Sequence, residues 1–257
     1  MSKKQRRKPT PPPIRSTSGR GAGKSGVRGQ RWWLALVAAV AAGAVGIALA
    51  SGLTGTKRAA STSLPLGSIA ALGRLEPPGD PGSLGPEGVP VPVAPQLAPP
   101  DSLRPGQSID GVGCRPVEQL AFHIHVHLAV FFDGRGQQIP AGVGIAPPVG
   151  VQQTPQGAFA ASGACFSWLH THAADGIIHI ESPVERTYTL GDFFDVWHVQ
   201  LGPRRVGGAY GRVTAFFNGR PFEGNPRRIP LLAHAQVQLD VGRPLVAPES
   251  IRFPNGL

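Results

Sequence analysis

The most regular feature of the chain is an alternation of apolar and other side chains within 122–132. Every second position there is apolar, namely Phe122, Ile124, Val126, Leu128, Val130 and Phe132. Successive side chains of a β-strand point to opposite faces, so this alternation predicts a strand with one apolar face. Asp133-Gly134 follows at once and favours a two-residue hairpin turn, so we expect a second strand to return through Ile139.

Short runs of strand-forming residues continue through the rest of 110–257. They alternate with Asp-Gly, Asn-Gly and Pro signals, a pattern typical of short strands joined by turns. FFNGR at 216–220 repeats FFDGR at 131–135 and predicts a second hairpin of the same kind. LGDFFDVWH at 190–198 is the exception, because Thr189 is a good N-cap for a short helix. The predicted fold is mainly β: a compact, sandwich-like or barrel-like domain with one short helix.

A long apolar run precedes this domain. Residues 32–56 contain neither a charged side chain nor a proline, and the run is long enough to cross about 30 Å of hydrocarbon as a helix. It predicts a single transmembrane helix over 32–53. A cleaved signal peptide is the alternative, since Ala48-Leu49-Ala50 resembles a cleavage site, but the leader over 1–31 is long for a signal peptide. We therefore favour an uncleaved membrane anchor.

The distribution of charge orients that helix and argues against one class of partner. The chain has 25 Lys and Arg against 15 Asp and Glu, and ten of the basic residues lie within 1–31, where there is no acid. By the positive-inside rule this basic tail stays in the cytoplasm, so the C-terminal domain is predicted to lie outside the cell membrane. We expect the tail to be disordered and to contact anionic lipid. The rest of the chain is electrically balanced, which argues against a nucleic-acid partner.

Proline dominates the segment between the apolar run and the domain. Residues 54–109 carry eleven prolines, all between Pro65 and Pro105, with Gly and Ser among them and no sustained periodicity. Such a composition buries too little apolar surface to order itself. The segment is therefore predicted to be a linker, an extended stalk that holds the domain of 110–257 away from the bilayer, with packing of some of it on the domain as the open alternative.

Histidines provide the candidate chemistry, and the first group lies on the predicted strand of 122–132. His123, His125 and His127 occupy positions between the apolar residues, so they share the opposite face of that strand. Neighbours on one face of a strand lie about 7 Å apart. This spacing lets two imidazoles reach one metal ion.

The second group lies in WLHTHAADGIIHIE at 168–181. Asp175-Gly176 predicts a two-residue type I′ loop, and such a loop fixes the register of the flanking strands. In this register one face carries the opposed pairs His172–His179 and His170–Glu181. Ile178 and Ile180 take the other face. Directly opposed residues have Cβ atoms about 5 Å apart, so three imidazoles and a carboxylate crowd together, and a cation reconciles them most simply.

The donor set indicates the kind of ion. Three imidazoles with one acid suit Zn or Cu, whereas Ca or Mg calls for more oxygen ligands. The candidate ligands, in order of preference, are His170, His172, His179, His125, His127 and His123. Glu181 and Asp175 are placed either to ligate the ion or to orient an imidazole. His198 and His234 stand alone, and we interpret them as hydrogen-bonded surface histidines.

The two cysteines, Cys114 and Cys165, would lie outside the membrane in this topology. Two thiols in an oxidising compartment more often pair than remain free, so we expect a disulfide. The alternative is that Cys165 is a thiolate ligand in a His/Cys copper site. Met1 is the only methionine, so such a site would lack an axial Met.

Four motifs together resemble those of one protein family. They are HIHVHLAVFFDG from His123, IPAGVGI from Ile139, CFSWLHTHAADGIIHIESP from Cys165 and TLGDFFDVW from Thr189. The combination is similar to that of uncharacterised membrane-anchored proteins of bacteria and archaea with a His-rich extracytoplasmic domain, and it covers about 110–257. The resemblance implies this organisation and carries no reaction or substrate with it.

Three functions fit these features. The first is a membrane-anchored extracytoplasmic domain that binds Cu or Zn for capture, buffering or transfer, and it needs only the histidines. The second is a metalloenzyme on the same cluster, with a metal-bound water as nucleophile and Glu181 or Asp175 as base; HExxH and GxSxG motifs are absent from the sequence. The third is a docking module for another envelope protein, in which the histidines are only hydrogen-bonded. We favour the first.

Overall fold

A computed structural model describes residues 63–257. In these residues helix is limited to α1 (Leu190–Val196) and the 3₁₀ turns Ile69–Leu72 and Pro226–Arg228. The strands, in chain order, are β1 (Ser108–Ile109), β2 (Val112–Arg115), β3 (Phe122–Phe132), β4 (Arg135–Gln137), β5 (Gly150–Thr154), β6 (Gly157–Ser162), β7 (Phe166–Ser167), β8 (Leu169–His170), β9 (Ile177–Ser182), β10 (Tyr188–Thr189), β11 (Leu201–Gly202), β12 (Arg205–Val206), β13 (Ala209–Tyr210), β14 (Val213–Phe217), β15 (Arg220–Phe222), β16 (Pro230–Leu231) and β17 (Gln236–Val241). The predicted class, mainly β with one short helix, is confirmed.

One seven-stranded sheet organises these elements. Its strand order is β15-β14-β17-β3-β9-β8, and β4 pairs with the C-terminal half of β3. The β17–β3 pair is parallel, and the other pairs of this sheet are antiparallel. Because β3 has eleven residues, its first half pairs with β9 and its second half with β17 and β4. The order is an open path from β15 to β8, so this sheet is not a closed barrel.

One face of the sheet forms the core of the domain. Val126, Leu128 and Val130 on β3 are at most 1% exposed, and Ile178 and Ile180 on β9 are fully buried. Full burial of each such side chain contributes about 1.5–3 kcal/mol to folding. The apolar face predicted for 122–132 is therefore confirmed, and so is the inward direction of the two isoleucines.

Helix α1 contributes to this core and begins where the sequence predicts. The Thr189 side chain accepts a hydrogen bond from the Asp192 N–H, and the Asp192 carboxylate accepts one from the Thr189 N–H, which completes a capping box. Phe193, Phe194 and Trp197 belong to the same buried cluster as β3 and β9. The helix thus shares the buried core with β3 and β9, whose other side chains lie on the opposite face of the sheet.

Both predicted hairpins are present. At the β3–β4 turn Asp133 and Gly134 have φ angles of 49° and 75°, and at the β14–β15 turn Asn218 and Gly219 have φ angles of 47° and 77°. Two consecutive positive φ angles define a type I′ turn, which Asx-Gly pairs favour because glycine has no Cβ and Asx tolerates this region. The similar motifs therefore produce the same turn.

The predicted disulfide joins Cys114 on β2 to Cys165, just before β7. Strand β2 also pairs with β7, and Cys114 lies opposite Ser167. Both sulfurs are buried, because the two residues are at most 1% exposed. The bond excludes the alternative of a Cys165 thiolate ligand and fixes the start of the segment that carries β8.

Residues 63–109 pack against the sheet, which differs from the stalk expected over 54–109. Isolated bridges join Leu66 to Phe222, Glu76 to Val246 and Gln96 to Gln138. Val89, Leu97 and Leu103 are at most 9% exposed. The segment therefore follows the surface of the domain instead of extending away from it.

Prolines in this segment contribute through their carbonyl groups. Proline has no N–H, but its oxygen accepts normally. The Pro65 oxygen accepts from the Glu223 N–H, the Pro95 oxygen from the Gln138 N–H and the Pro99 oxygen from the Trp197 indole. The rest of the domain supplies the surface on which the apolar residues of this segment, such as Val89, Leu97 and Leu103, are buried.

The membrane helix predicted over 32–53 and the basic tail predicted over 1–31 lie outside the described residues, as do residues 54–62. Within 63–257 the longest α-helix is α1, with seven residues. No helix in this range has the length and apolar character needed to cross a bilayer.

Removal of the disulfide is expected to lower stability substantially. In a Cys114→Ser/Cys165→Ser chain the free energy of unfolding falls by about 4 kcal/mol, because the unfolded chain is no longer closed across a separation of 51 residues. Urea unfolding of the full-length chain, followed by tryptophan fluorescence, measures the difference. A decrease in the free energy of unfolding of less than about 1 kcal/mol would show that the disulfide hardly constrains the unfolded chain.

Candidate metal centre

The sheet places most of the histidines on the face opposite the core. On β3, His123 lies directly opposite Glu181 of β9, and His125 lies directly opposite His179. On the other side of β9, His170 of β8 also lies opposite His179. Three adjacent strands therefore bring their polar positions to one patch, because their apolar positions are committed to the core.

The register of β8 and β9 differs from the predicted one by two residues. A two-residue turn at Asp175-Gly176 would pair His172 with His179, whereas the structure pairs His170 with His179 and leaves 171–176 as a longer connection. The predicted turn residue Asp175 is instead buried, and its Oδ1 accepts from the Ile177 N–H at 3.1 Å. A shift of two residues preserves the face of a strand, so the same side chains still converge.

His170 and His172 are each held by a backbone carbonyl. His170 Nδ1 lies 2.9 Å from the Ser167 oxygen, and His172 Nδ1 lies 2.6 Å from the Ala160 oxygen. Because a carbonyl oxygen only accepts, both Nδ1 atoms carry the hydrogen, and both Nε2 atoms of the neutral rings carry a lone pair. These two Nε2 atoms lie 3.0 Å apart.

That separation matches ligands of one metal ion. Zinc–imidazole bonds are about 2.0–2.1 Å long, so neighbouring nitrogens on one ion lie about 2.9–3.4 Å apart. Two lone pairs that face each other at this distance repel unless a proton or a cation lies between them. The arrangement of His170 and His172 is therefore that of a chelating pair.

The backbone around this pair is tightly fixed. Gly144 has a φ of 75°, and a Cβ there would come within 2.3 Å of the Leu169 oxygen, directly beneath His170. Thr171 donates through its hydroxyl to the Pro140 oxygen at 2.7 Å, and the Phe159 ring stacks on His172 with centroids 4.7 Å apart. Neither imidazole is free to turn away from the other.

A second group lies beside the first and shares one histidine with it. His123 Nε2 is 3.0 Å from His125 Nε2, which is 3.1 Å from His179 Nδ1. Potential ligand atoms of these three side chains lie within 4.8 Å of one another, and the same holds for the group of His170, His172, His179 and Glu181. All of these residues are buried except His123, whose side chain is 36% exposed.

Glu181 lies between the two groups. Its Oε1 is 3.2 Å from His123 Nε2 and 3.5 Å from His179 Nδ1, and its Oε2 is 3.9 Å from His170 Nε2. Oε2 is buried and has no hydrogen-bond partner. A buried, unpaired carboxylate oxygen is costly, and a nearby cation compensates it.

Two further carboxylates belong to the site and were not predicted. Glu87, from the proline-rich segment, accepts from His179 Nε2 at 2.7 Å. Glu118, from the connection between β2 and β3, has its Oε1 3.4 Å from His172 Nε2. No local pattern in the sequence marks either residue, because both reach the site only through the path of irregular segments across the sheet.

Burial keeps several of these imidazoles neutral. It lowers the pKa of His170 far below its usual range and lowers that of His172 as well, with the His179 charge adding to the effect in both. It also lowers the pKa of His125 to about 3. Neutral imidazoles are the form that binds a metal, so these groups need not lose a proton to ligate at neutral pH.

His179 behaves in the opposite way. Burial alone lowers the pKa of its imidazole, but hydrogen bonds to Glu181 and Glu87, together with their charges, outweigh burial and raise the pKa to about 9. Without a metal ion, His179 is therefore an imidazolium between two carboxylates. In the absence of a metal ion, the His179 imidazolium itself supplies positive charge between the Glu87 and Glu181 carboxylates.

Two residues of the predicted site lie elsewhere. His127 faces Ile177 across the strands, and both His127 and Asp175 line a cavity of about 890 Å³ bounded also by Phe131 and Ile251. Burial lowers the pKa of His127 to about 4, and burial with the Glu87 charge raises that of Asp175 to about 8. Neither belongs to the two groups of potential ligands.

The remaining histidines match their interpretation as isolated residues. His198 is exposed, and its Nδ1 lies 3.0 Å from an Asp101 carboxylate oxygen. His234 stacks on Phe253, and its Nε2 donates to the Leu257 oxygen. Both serve as controls for experiments on the cluster.

Comparisons with protein-family models, with curated proteins and with solved structures gave no match for this chain. The resemblance to membrane-anchored proteins of bacteria and archaea therefore stays a prediction. Function has to be argued from the site itself.

The charge of His179 predicts an alkaline loss of stability in the metal-free chain. The folded pKa of about 9 exceeds the unfolded value of about 6.5, so this stabilisation is complete below pH 6.5 and is lost as pH rises through 9. Glu87→Gln removes one carboxylate and should flatten this pH dependence. Urea unfolding of chelator-treated protein between pH 6 and 10 measures it.

The exposed acid Glu185 provides the matched control for that measurement. Glu185→Gln removes the same charge from the chain but leaves His179 untouched, so its curve should run parallel to that of the wild type. If both variants flatten the curve equally, overall charge and not the Glu87–His179 bond sets the pH dependence.

Proposed function

We propose that this protein is a membrane-anchored, extracytoplasmic metal-binding protein that captures, buffers or transfers Cu or Zn. Potential ligand atoms of His170, His172, His179 and Glu181 lie within 4.8 Å of one another in a buried patch. The proposal assigns one ion to this group. The docking function, in which the histidines only form hydrogen bonds, does not explain this convergence.

One observation carries the proposal. His170 and His172 present two Nε2 lone pairs to each other at 3.0 Å, because backbone carbonyls occupy both Nδ1 hydrogens. Burial lowers the pKa of both rings, which disfavours a proton as the bridge. A metal ion is then the remaining partner for both nitrogens. Carbonyl groups that fix the tautomer and the ring orientation are also the usual outer partners of metal-binding histidines.

The ligand types favour a transition metal, and their number favours binding over catalysis. Three imidazoles with one carboxylate suit Zn or Cu and offer too few oxygens for Ca or Mg. Four protein ligands complete a tetrahedral ion, whereas a catalytic zinc keeps one position open for water or substrate. We therefore rank the metalloenzyme below a capture, buffering or transfer function.

Two features support an extracytoplasmic location. The Cys114–Cys165 disulfide is of the kind that persists in oxidising compartments. The apolar run over 32–53, preceded by ten basic residues and no acid, favours a membrane anchor with its N-terminus in the cytoplasm. Protease accessibility of the C-terminal domain in intact cells tests this part of the proposal separately from metal binding.

The metal-binding proposal predicts a change in stoichiometry. Full-length chain purified in detergent, loaded with Zn²⁺ and desalted, should contain bound zinc by elemental analysis. His170→Asn/His172→Asn should lower the content by one ion per chain, because an amide in place of imidazole is a poor zinc ligand. Circular dichroism verifies that the variant remains folded.

The control is His198→Asn, which removes an exposed histidine outside the cluster. Its zinc content should equal that of the wild type. Folded wild-type protein that retains no Zn²⁺ and no Cu²⁺ would disprove the proposal and leave the docking function.

Metal binding at neutral pH should also displace a proton. His179 is protonated in the metal-free chain at pH 7, since its pKa is about 9, and it has to be neutral to ligate. Titration calorimetry with Zn²⁺ in buffers of different ionisation enthalpy should therefore report about one proton released for the ion that recruits His179. Zero release would indicate that His179 remains an imidazolium and is not a ligand.

A further inference from the structure

The cluster contains more ligands than one ion takes. Five imidazoles and two carboxylates converge, namely His123, His125, His170, His172, His179, Glu118 and Glu181. A structural zinc ion is almost always bound by four ligands. Most of these seven potential ligands are buried, since only His123 and Glu118 have side chains that are more than a tenth exposed.

The ligand atoms form two overlapping groups and not a single one. His123 and His125 group with His179, and His170 and His172 group with His179 and Glu181. Two ligands of one ion lie at most about 4.2 Å apart, twice a bond of about 2.1 Å. The contacts between nitrogens of about 3.0 Å occur inside each group, which is the spacing expected around two separate centres.

From this geometry we propose that the site binds two metal ions side by side, with the Glu181 carboxylate bridging them. The inference rests on the proposed function and deepens it. The first ion takes His170, His172, Glu181 Oε2 and Glu118. The second takes His123, His125, His179 Nδ1 and Glu181 Oε1. Each ion then has four protein ligands, and Glu118 replaces His179 in the first group when the second ion binds.

Two contacts in each set are short enough to join ligands of one ion. In the first set His172 Nε2 is 3.4 Å from Glu118 Oε1, and His170 Nε2 is 3.9 Å from Glu181 Oε2. In the second set Glu181 Oε1 is 3.2 Å from His123 Nε2 and 3.5 Å from His179 Nδ1. Every one of these lies below the limit of about 4.2 Å for two ligands of one ion.

The two oxygens of Glu181 point to the two sets, which is the geometry of a bridging carboxylate. Oε1 lies 3.2 and 3.5 Å from two nitrogens of the second set, whereas the buried Oε2 lacks a hydrogen-bond partner and lies 3.9 Å from His170 Nε2 of the first set. The negative charge between the ions also reduces their mutual repulsion. Glu87 holds His179 from the far side through Nε2, which leaves Nδ1 directed at the second ion.

Metal stoichiometry tests the inference. The full-length chain is saturated with Zn²⁺, desalted and analysed for zinc per chain. We expect two ions in the wild type, one in His123→Asn/His125→Asn, one in His170→Asn/His172→Asn and two in the control His234→Asn. Circular dichroism and retention of the disulfide verify the fold of each variant.

The outcomes separate this inference from the proposed function. One ion in the wild type, retained in His123→Asn/His125→Asn and lost in His170→Asn/His172→Asn, would overturn the second ion and keep the metal-binding function. No ion in the folded wild type would overturn both. Two ions that survive in both double variants would overturn the ligand assignment.

A measurement on the wild type alone keeps the inference testable if a variant fails to fold. Copper(II) ions bridged at the usual two-metal spacing of about 3.5–4 Å couple magnetically, so the paramagnetic resonance signal per copper should fall as the second equivalent of Cu²⁺ binds. A signal that grows in proportion to two bound equivalents would contradict a bridged pair, and saturation at one equivalent would contradict a second ion.

Discussion

The pairing of β3 with β9 is the constraint on which both the core and the candidate site depend. Alternate residues of the two strands face opposite sides, so one register sends Val126 and Ile178 to the core that also includes residues of α1 and sends His125 and His179 to the other face. A slip of one residue would bury the imidazoles in the apolar core and expose the isoleucines. The hydrophobic stabilisation of the core therefore also holds the potential metal ligands in their relative positions.

On the face that bears the histidines, the fold buries polar groups whose hydrogen bonding is incomplete, and this burial is electrostatically unfavourable. Imidazoles with depressed basicity lie beside carboxylates that lack full hydrogen bonding, and a single imidazolium, His179, compensates part of the negative charge. Such a network is destabilising where one member is unpaired, and a bound cation satisfies several members at once. Because backbone carbonyls hold His170 and His172, these two side chains have little conformational entropy left to lose on binding an ion. Potential ligand atoms that are held rigidly and lack hydrogen-bond partners are expected in a site that binds an ion tightly.

Local sequence patterns predicted the parts of this structure that depend on local physics. The alternation in β3, the turns at Asp133-Gly134 and Asn218-Gly219 and the Thr189 cap follow from side-chain period, φ preference and capping, and all are present. The predicted pairing of β8 with β9 was wrong by two residues, because buried contacts of Asp175 and Thr171 override the preference of Asp-Gly for a two-residue turn. Tertiary packing brings Glu87 and Glu118 to the cluster, and it places His127 outside the cluster. No short-range sequence pattern encodes these placements.

The position of Glu87 couples the binding site to the segment that leads toward the N-terminus. This residue lies within the turn at Gly85–Gly88, just before the buried Val89, and it is the sole described carboxylate that contacts His179 Nε2. Tension that peeled residues 85–89 from the sheet would withdraw the acceptor that directs His179 Nδ1 toward the other ligands. An ion that fixes His179 would in turn resist that peeling. The packing of residues 85–89 on the domain and the orientation of the His179 ring are therefore linked.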